Sequence, residues 1–194
     1  MGIRVYKTSI HNVKLSEKVE LAEWFGSTKF IIEGEKTHTT NSRYSSNCIT
    51  INELELYDRA GNIIPYTTTA TDFHFGGNGT LYWSNGIWSR HNLNDQTYGY
   101  GEYSSTLITR DGVAWGRFLV TIPDGYEVDS IKYWVSSSLN RIPEYFRVYA
   151  VPVDITYNYT KHIRNRDTSE LIPVWEHHND YTNIQPLMVF SSKE

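Results

Sequence analysis

Hydrophobic and polar residues alternate with a period of two along much of the chain, the pattern of a β-strand with one buried face. Phe118, Val120 and Ile122 share one side of such a stretch, and Arg117 and Leu119 fall on the other. Strand-forming Ile, Val, Tyr, Thr, Phe and Trp fill these stretches, which predicts an all-β protein. The predicted strands are 30–35, 48–57, 117–122, 128–135 and 145–150.

Predicted turns end two of these strands, and the alternation of hydrophobic residues shifts by one position within the segment 48–57. Residues 58–62 and 123–125 are rich in Asp, Gly, Asn and Pro, which predicts a turn in each. Within 48–57 the hydrophobic parity changes between Ile51 and Leu54, so the inward face must switch. An extra residue near 52–53 would do this, and a β-bulge is predicted there.

The remaining segments are less regular. Residues 65–116 have the composition of long polar and aromatic loops at one end of a sandwich, and Leu15–Phe25 is the one candidate helix. The tail either packs on the sandwich or docks to a partner. The predicted division is an N-terminal extension (1–27), a β-sandwich (28–151) and a C-terminal extension or docking segment (152–194).

Four segments carry a family resemblance: CITINELELYDRAGNIIP, HNLNDQTYGYGEYSST, WGRFLVTIPDGYEVDSIKYW and NRIPEYFRVYA. In this order they resemble the galactose-binding-like (discoidin-like) domains of carbohydrate-binding modules and coagulation-factor C-type domains. The resemblance covers about residues 28–151. It implies an antiparallel jelly-roll β-sandwich with N- and C-terminal extensions that is non-catalytic and lectin-like. Loops at one end of such a domain bind sugars, lipid head groups or proteins.

Some members of that family hold a structural Ca²⁺ beside an Asn-Leu-x-Asp-Gly turn. The corresponding residues here are Asn92-Leu93-Asn94-Asp95-Gln96, without the glycine. Ca²⁺ needs six to eight oxygen ligands, of which Asp95 and nearby carbonyls supply a part. Asp95 is therefore a candidate metal ligand, and an Asx-turn with no metal is the alternative.

The loop region between 73 and 103 combines aromatic rings with planar polar side chains. Sugar sites use this combination, because rings pack on the apolar side of a pyranose and planar groups hydrogen-bond its hydroxyls. Some of these aromatic residues are also expected to cap the core. Arg141 precedes the last family strand and is expected at the same end, with a solvated or ion-paired side chain as the alternative. The candidate ligand-binding residues are Trp83, Trp88, Arg90, His91, Tyr98, Tyr100 and Arg141.

Charge and composition argue against several classes. A net charge of −4 and a pI near 6.0 disfavour a nucleic-acid binder. No apolar run is long enough for membrane insertion or for a secretory signal peptide. Cys48 is the single cysteine, so neither an intramolecular disulfide nor a thiolate zinc site can form. His177 and His178 are adjacent and would point to opposite faces of a strand, which disfavours a shared metal.

The sequence is compatible with three candidate functions. The first is a non-catalytic module binding a glycan or cell-surface polysaccharide, as a receptor-binding or accessory component of a phage tail or similar surface assembly, with avidity from homo-oligomerisation. Without a signal peptide, such a protein is expected in a virion or outside the cell after release. The second is a structural scaffold that attaches to other structural proteins through its terminal extensions. The third, a glycoside hydrolase or lyase, lacks a marked pair of carboxylates.

Overall fold

The computed structural model describes residues 24, 26–37, 48–68, 73–75, 93, 106–108, 115–135, 142–179 and 188–193. These residues form ten strands and a short π-helical turn. The five predicted strands are present, with ends shifted by at most two residues; the candidate helix 15–25 lies outside the described residues, apart from Trp24. The strands are β1 (Lys29–Thr37), β2 (Cys48–Tyr57), β3 (Ile63–Ile64), β4 (Phe73–Phe75), β5 (Thr106–Ile108), β6 (Trp115–Thr121), β7 (Ser130–Val135), β8 (Pro143–Ala150), β9 (Ile172–His178) and β10 (Val189–Ser191).

The strands pair into two antiparallel sheets. The first sheet has the order β4-β6-β1-β8-β9, and the second has the order β10-β7-β2-β3, with β5 also pairing to β2. The central strand β1 pairs with β6 on one side and with β8 on the other. The all-β prediction is confirmed at this level.

The predicted bulge and turns are also present. Ile51 pairs with Val135 and Glu53 with Trp134, so one extra residue lies in β2 at this point. Ile51 and Leu54 consequently both reach the core, at 1% and 0% exposure. In the two predicted turns, Gly61 and Gly125 have φ of 84° and 89°, the left-handed region that glycine adopts without strain.

The inner faces of the two sheets enclose one apolar core. The predicted inward residues are buried in it, and the rings of Tyr133 and Phe146 stack across the two sheets with centroids 3.9 Å apart. The first sheet supplies Phe30, Ile32, Phe118, Val120, Phe146, Val148 and Ala150, and the second supplies Ile51, Leu54, Leu56, Ile131, Tyr133 and Val135.

The outer face of the first sheet is partly covered by residues 151–171, here called the covering segment. Its Ile163 and Leu171 pack on Ile31 and Leu119 in a second apolar cluster. This explains why Leu119, although on the parity opposite to the core, is only 5% exposed. The segment includes the π-helical turn, Tyr159–Arg164.

After the covering segment, the chain adds a strand to each sheet. β9 pairs with β8 at the edge of the first sheet, and β10 pairs with β7 at the edge of the second. The rings of His177 and Phe190 lie 4.0 Å apart between their centroids, so the two edge strands touch. His178 instead stacks on Tyr145, which confirms that the adjacent histidines point to opposite faces.

Candidate ligand-binding site

Most of the aromatic loop region lies outside the described residues. The structure describes only short parts of 65–116, among them β4, β5 and Leu93, which is fully buried in the core. Trp83, Trp88, Arg90, His91, Asp95, Tyr98, Tyr100 and Arg141 all lie outside the described residues.

A row of alternating charges crosses the outer face of the first sheet. Arg117 on β6 lies directly opposite Glu33 on β1, Glu33 opposite Arg147 on β8, and Arg147 opposite Glu176 on β9. Each strand places its charged residue on the parity that faces away from the core. Directly opposite residues on neighbouring strands are close enough for their side chains to interact. We call Arg117, Glu33, Arg147 and Glu176 the charged row.

Glu33 is the hub of this row. It is 1% exposed and pairs with Arg117, which is 2% exposed, and with Arg147, whose Nη1 lies 3.0 Å from Glu33 Oε1. Arg166 of the covering segment donates from Nε to Glu33 Oε2 at 3.1 Å. Three guanidinium groups therefore surround one buried carboxylate.

Further contacts balance the charge. Glu35 pairs with Arg147 at 2.5 Å and with Arg166 at 3.1 Å, and Glu176 Oε2 accepts from Arg147 Nε at 2.5 Å. The cluster thus holds three guanidinium groups and three carboxylates, with a formal charge of zero. Buried ions are tolerated when each is paired and hydrogen-bonded in this way.

The pKa values reflect this pairing. Burial alone would raise the pKa of Glu33, but Arg117 and Arg166 outweigh it and hold the value below its usual range. Burial would lower the pKa of Arg147, but hydrogen bonds to Glu176, Glu35 and Glu33 raise it instead. Glu33 and Arg147 are therefore charged at neutral pH.

Aromatic rings flank the three guanidinium groups. Each arginine lies within the distance of a cation–π contact. The guanidinium carbon is 5.3 Å from the Tyr149 ring centre for Arg117, 4.8 Å from that of Tyr145 for Arg147, and 4.7 Å from that of Trp115 for Arg166.

A pocket of about 190 Å³ opens where the charged row reaches the edge strand β9. Its volume is below the roughly 300–1,000 Å³ of pockets that enclose drug-sized ligands, so it fits a single small ring. The ring of Trp175 packs toward Tyr133 and Phe146, so among the lining residues Tyr149 is the aromatic side chain on the outer face. The pocket is lined by Arg147, Tyr149, Pro173, Val174, Trp175 and Glu176.

Three polar groups in this pocket have no hydrogen-bond partner among the described residues. They are Nη2 of Arg147, Oε1 of Glu176 and the hydroxyl of Tyr149. Nη2 offers two N–H donors, the carboxylate oxygen accepts, and the hydroxyl does either. Glu176 is 59% exposed and Arg147 19% exposed, so solvent reaches the site. The pocket therefore presents donors, acceptors and one aromatic ring to a ligand.

A second cavity, of about 230 Å³, lies beside β2 and β3. Its lining includes Glu53 and Glu55, which are 0% and 1% exposed, together with Tyr66. Tyr66 donates to the carbonyls of Leu54 and Leu93 at 2.8 and 3.0 Å. Among the described residues its lining includes no cationic side chain, so the described part of this cavity lacks the arginine donors found at β8 and β9.

Two searches of the described residues bear on the classes considered above. None of the helices there is both long and apolar enough to cross a membrane. No group of three or more His, Cys, Asp and Glu side chains in the same residues is arranged to hold a metal ion.

Sequence reasoning did not select Arg147, Tyr149 or Glu176 as site residues. The period of two along 145–150 puts Arg147 and Tyr149 on the side opposite Phe146 and Val148, but nothing local distinguishes them from ordinary solvated residues. A pattern that could have indicated the site does exist when the charged residues of several strands are compared. Opposite charges recur at non-core positions of β1, β6 and β8, and matching them across strands requires the sheet order, which the sequence does not state.

Comparisons with known proteins add no assignment: no family model matches the chain, and neither curated proteins nor solved structures give a significant match.

Proposed function

We propose that this protein is a non-catalytic, lectin-like glycan-binding module. The observation that carries the proposal is the pocket at β8 and β9, where a tyrosine ring lies beside a guanidinium and a carboxylate, each of which keeps one polar atom without a hydrogen-bond partner among the described residues. Sugar recognition combines stacking on the apolar side of a pyranose with bidentate hydrogen bonds from planar side chains. Tyr149 is suited to the first role, and Arg147 with Glu176 to the second.

The surroundings of the pocket support a preformed site. Arg147 is fixed by Glu33, Glu35 and Glu176, so its guanidinium plane keeps one orientation. A ligand then binds without the cost of ordering this long side chain. The galactose-binding-like jelly roll remains our proposal for the complete fold, supported by the two face-to-face antiparallel sheets and by the order of the segments that resemble that family.

The direct test is a glycan array probed with the full chain and with two matched variants. Tyr149→Ala removes the proposed stacking ring, and Tyr126→Ala removes a tyrosine that is 40% exposed in the turn after β6. We expect Tyr149→Ala to weaken binding by about tenfold or more, the scale of one lost stacking contact, and Tyr126→Ala to leave it unchanged. An array without any bound glycan would overturn the proposal, and a turnover assay on the bound glycans tests its non-catalytic part.

We further propose that the module acts in a phage tail or similar surface assembly. A shallow pocket for one ring implies weak binding at each site, and several linked copies convert weak sites into high avidity. Light scattering on the purified protein is expected to show a homo-oligomer. A monomer at all concentrations would count against this part while leaving glycan binding in place.

The alternative is a structural scaffold without sugar binding. The buried charged row and the covering segment favour it, since both stiffen the outer face. Truncation at residue 152 does not separate the two functions, because it removes β9 and β10 and with them an edge strand of each sheet. We expect that truncated chain not to fold, as judged by circular dichroism. A folded, soluble fragment would show instead that these strands are dispensable.

A further inference from the structure

We infer that the pocket at β8 and β9 selects an uncharged sugar ring over acidic sugars. The inference rests on the proposed function and specifies the ligand class of the same site. It depends on the charge balance around Arg147 and on the identity of the groups that remain for a ligand.

The exposed arginine is already neutralised. Arg147 contacts Glu33 at 3.0 Å, Glu35 at 2.5 Å and Glu176 at 2.5 Å. Its Nε and Nη1 are occupied by these carboxylates, and only Nη2 is left for a ligand. An arginine that recognises an anionic ligand offers two parallel N–H groups and an uncompensated charge. Arg147 offers neither, so it acts as a hydrogen-bond donor more than as a cation.

The rim adds a repulsive element against anions. Glu176 is the most exposed member of the charged row, at 59%, and its Oε1 faces no described partner. A carboxylate on the ligand would lie beside this oxygen and repel it, and like charges in contact are strongly unfavourable where the dielectric is low. Specificity in binding sites often comes from such repulsion.

A hydroxyl avoids this repulsion, because it accepts from Nη2 of Arg147 while donating to Oε1 of Glu176. Two neighbouring hydroxyls on one ring satisfy this donor and acceptor pair together, and the ring's apolar side is left for Tyr149.

The test uses pairs of sugars that share one ring and differ at C6, where a carboxylate replaces the neutral hydroxymethyl group. The pairs are methyl glucoside with methyl glucuronide and methyl galactoside with methyl galacturonide. Their binding to the ¹⁵N-labelled full chain at pH 7 is measured by chemical-shift titration. We expect the neutral member of each pair to bind at least about fivefold more tightly than the uronide, the effect of one unfavourable charge contact in a partly solvated site.

A charge variant makes the test specific to the pocket. Glu176→Gln keeps the shape of the side chain and removes its charge, and Glu127→Gln makes the same change at an exposed turn. We expect Glu176→Gln to improve uronide binding by about tenfold and Glu127→Gln to change nothing. Thermal unfolding of both variants verifies that each is folded.

The outcomes separate the two claims. Tighter binding of uronides than of neutral glycosides, or equal binding of both, overturns the inference and leaves the glycan-binding function standing. Neutral preference that persists unchanged in Glu176→Gln and Tyr149→Ala places the sugar elsewhere and also overturns the inference alone. Absence of binding by every sugar on the array and in the titrations overturns both.

Discussion

Both faces of the first sheet are buried at its centre, but the inner face is held by apolar packing and the outer face by ion pairs. On the inner face, Phe30 and Ile32 of β1 meet an apolar core whose attraction depends on area and not on direction. On the outer face, Glu33 from the same strand lies between Arg117 and Arg147. Successive side chains of a strand point to opposite faces of the sheet. The same three neighbouring strands therefore supply the apolar residues of the inner face and the charged residues of the outer face.

The contrast shows how strand register is specified. If β1 slipped by two residues against β6, the inner face would still bury apolar residues. Glu33 would then lie opposite Trp115 or Leu119 instead of Arg117, and a buried carboxylate would lose its partner. We infer that the core drives the sheets together and that the charged row penalises wrong registers.

The largest expected effect comes from the inner face. Phe146→Ala removes a fully buried ring that stacks on Tyr133, and we expect it to lower the free energy of unfolding by about 4 kcal/mol. Tyr145→Ala, one residue earlier and on the outer face, is the matched control and should cost well under half as much. Urea unfolding of both variants measures the difference. Equal losses would contradict the contrast between the faces.

The next largest effect concerns the hub of the charged row. Glu33→Gln leaves Arg117 buried without a carboxylate to neutralise its charge, although the amide oxygen and the carbonyl of His162 still accept hydrogen bonds, and we expect a loss of about 3 kcal/mol. Glu35→Gln, two residues along the same face, is the control. Arg147 and Arg166 keep Glu33 in that variant, so it should cost about 1 kcal/mol. Similar urea midpoints for the two variants would show that Glu33 is not the hub.

The pH dependence of stability provides a third test. The pKa of Glu33 is held below its unfolded value of about 4.5, so its contribution to stability is present above that pH and is lost as the pH falls through the folded value. We expect unfolding by urea to become easier below about pH 4.5. Asp58, Asp167 and Glu170 also have lowered pKa values, so the relevant quantity is the difference between wild type and Glu33→Gln. The variant should show the flatter profile, and parallel profiles would contradict the assignment.

The smallest expected effect on the free energy of unfolding comes from Glu176, at the exposed end of the charged row. Glu176 is 59% exposed, and pairs that reach solvent contribute little to stability. Glu176→Gln should therefore change the free energy of unfolding by less than about 1 kcal/mol, even though we expect it to alter ligand preference. Calorimetric unfolding that showed a loss as large as that of Glu33→Gln would mean that the whole row acts as one buried unit.

Much of the sandwich could be predicted from the sequence. β6 and β7, with inner residues such as Phe118, Val120 and Ile131, show a clear period of two in the sequence. In β2, the change of hydrophobic parity from Ile51 to Leu54 was enough to place the bulge. Short or mixed strands were missed. β9 carries Pro173 and two histidines without clear alternation, so its position follows from tertiary pairing with β8.

The candidate site could not be predicted for a related reason. Arg147 and Glu176 are 29 residues apart and meet only because β9 returns to the sheet edge after the covering segment. Local composition instead pointed to the aromatic loops, whose candidate residues lie outside the described residues and remain predictions. The family resemblance covered 28–151 and so ended before Glu176.

The position of β1 has a consequence for the order of events during synthesis. This strand is translated well before its two neighbours, β6 and β8, which are encoded roughly 85 and 115 residues later. A newly made β1 therefore waits with both hydrogen-bonding edges open, and such distant pairing makes folding slow. Charged side chains at Glu33 and Glu35 then act as gatekeepers, since they discourage this strand from pairing with another nascent chain before its own partners are made.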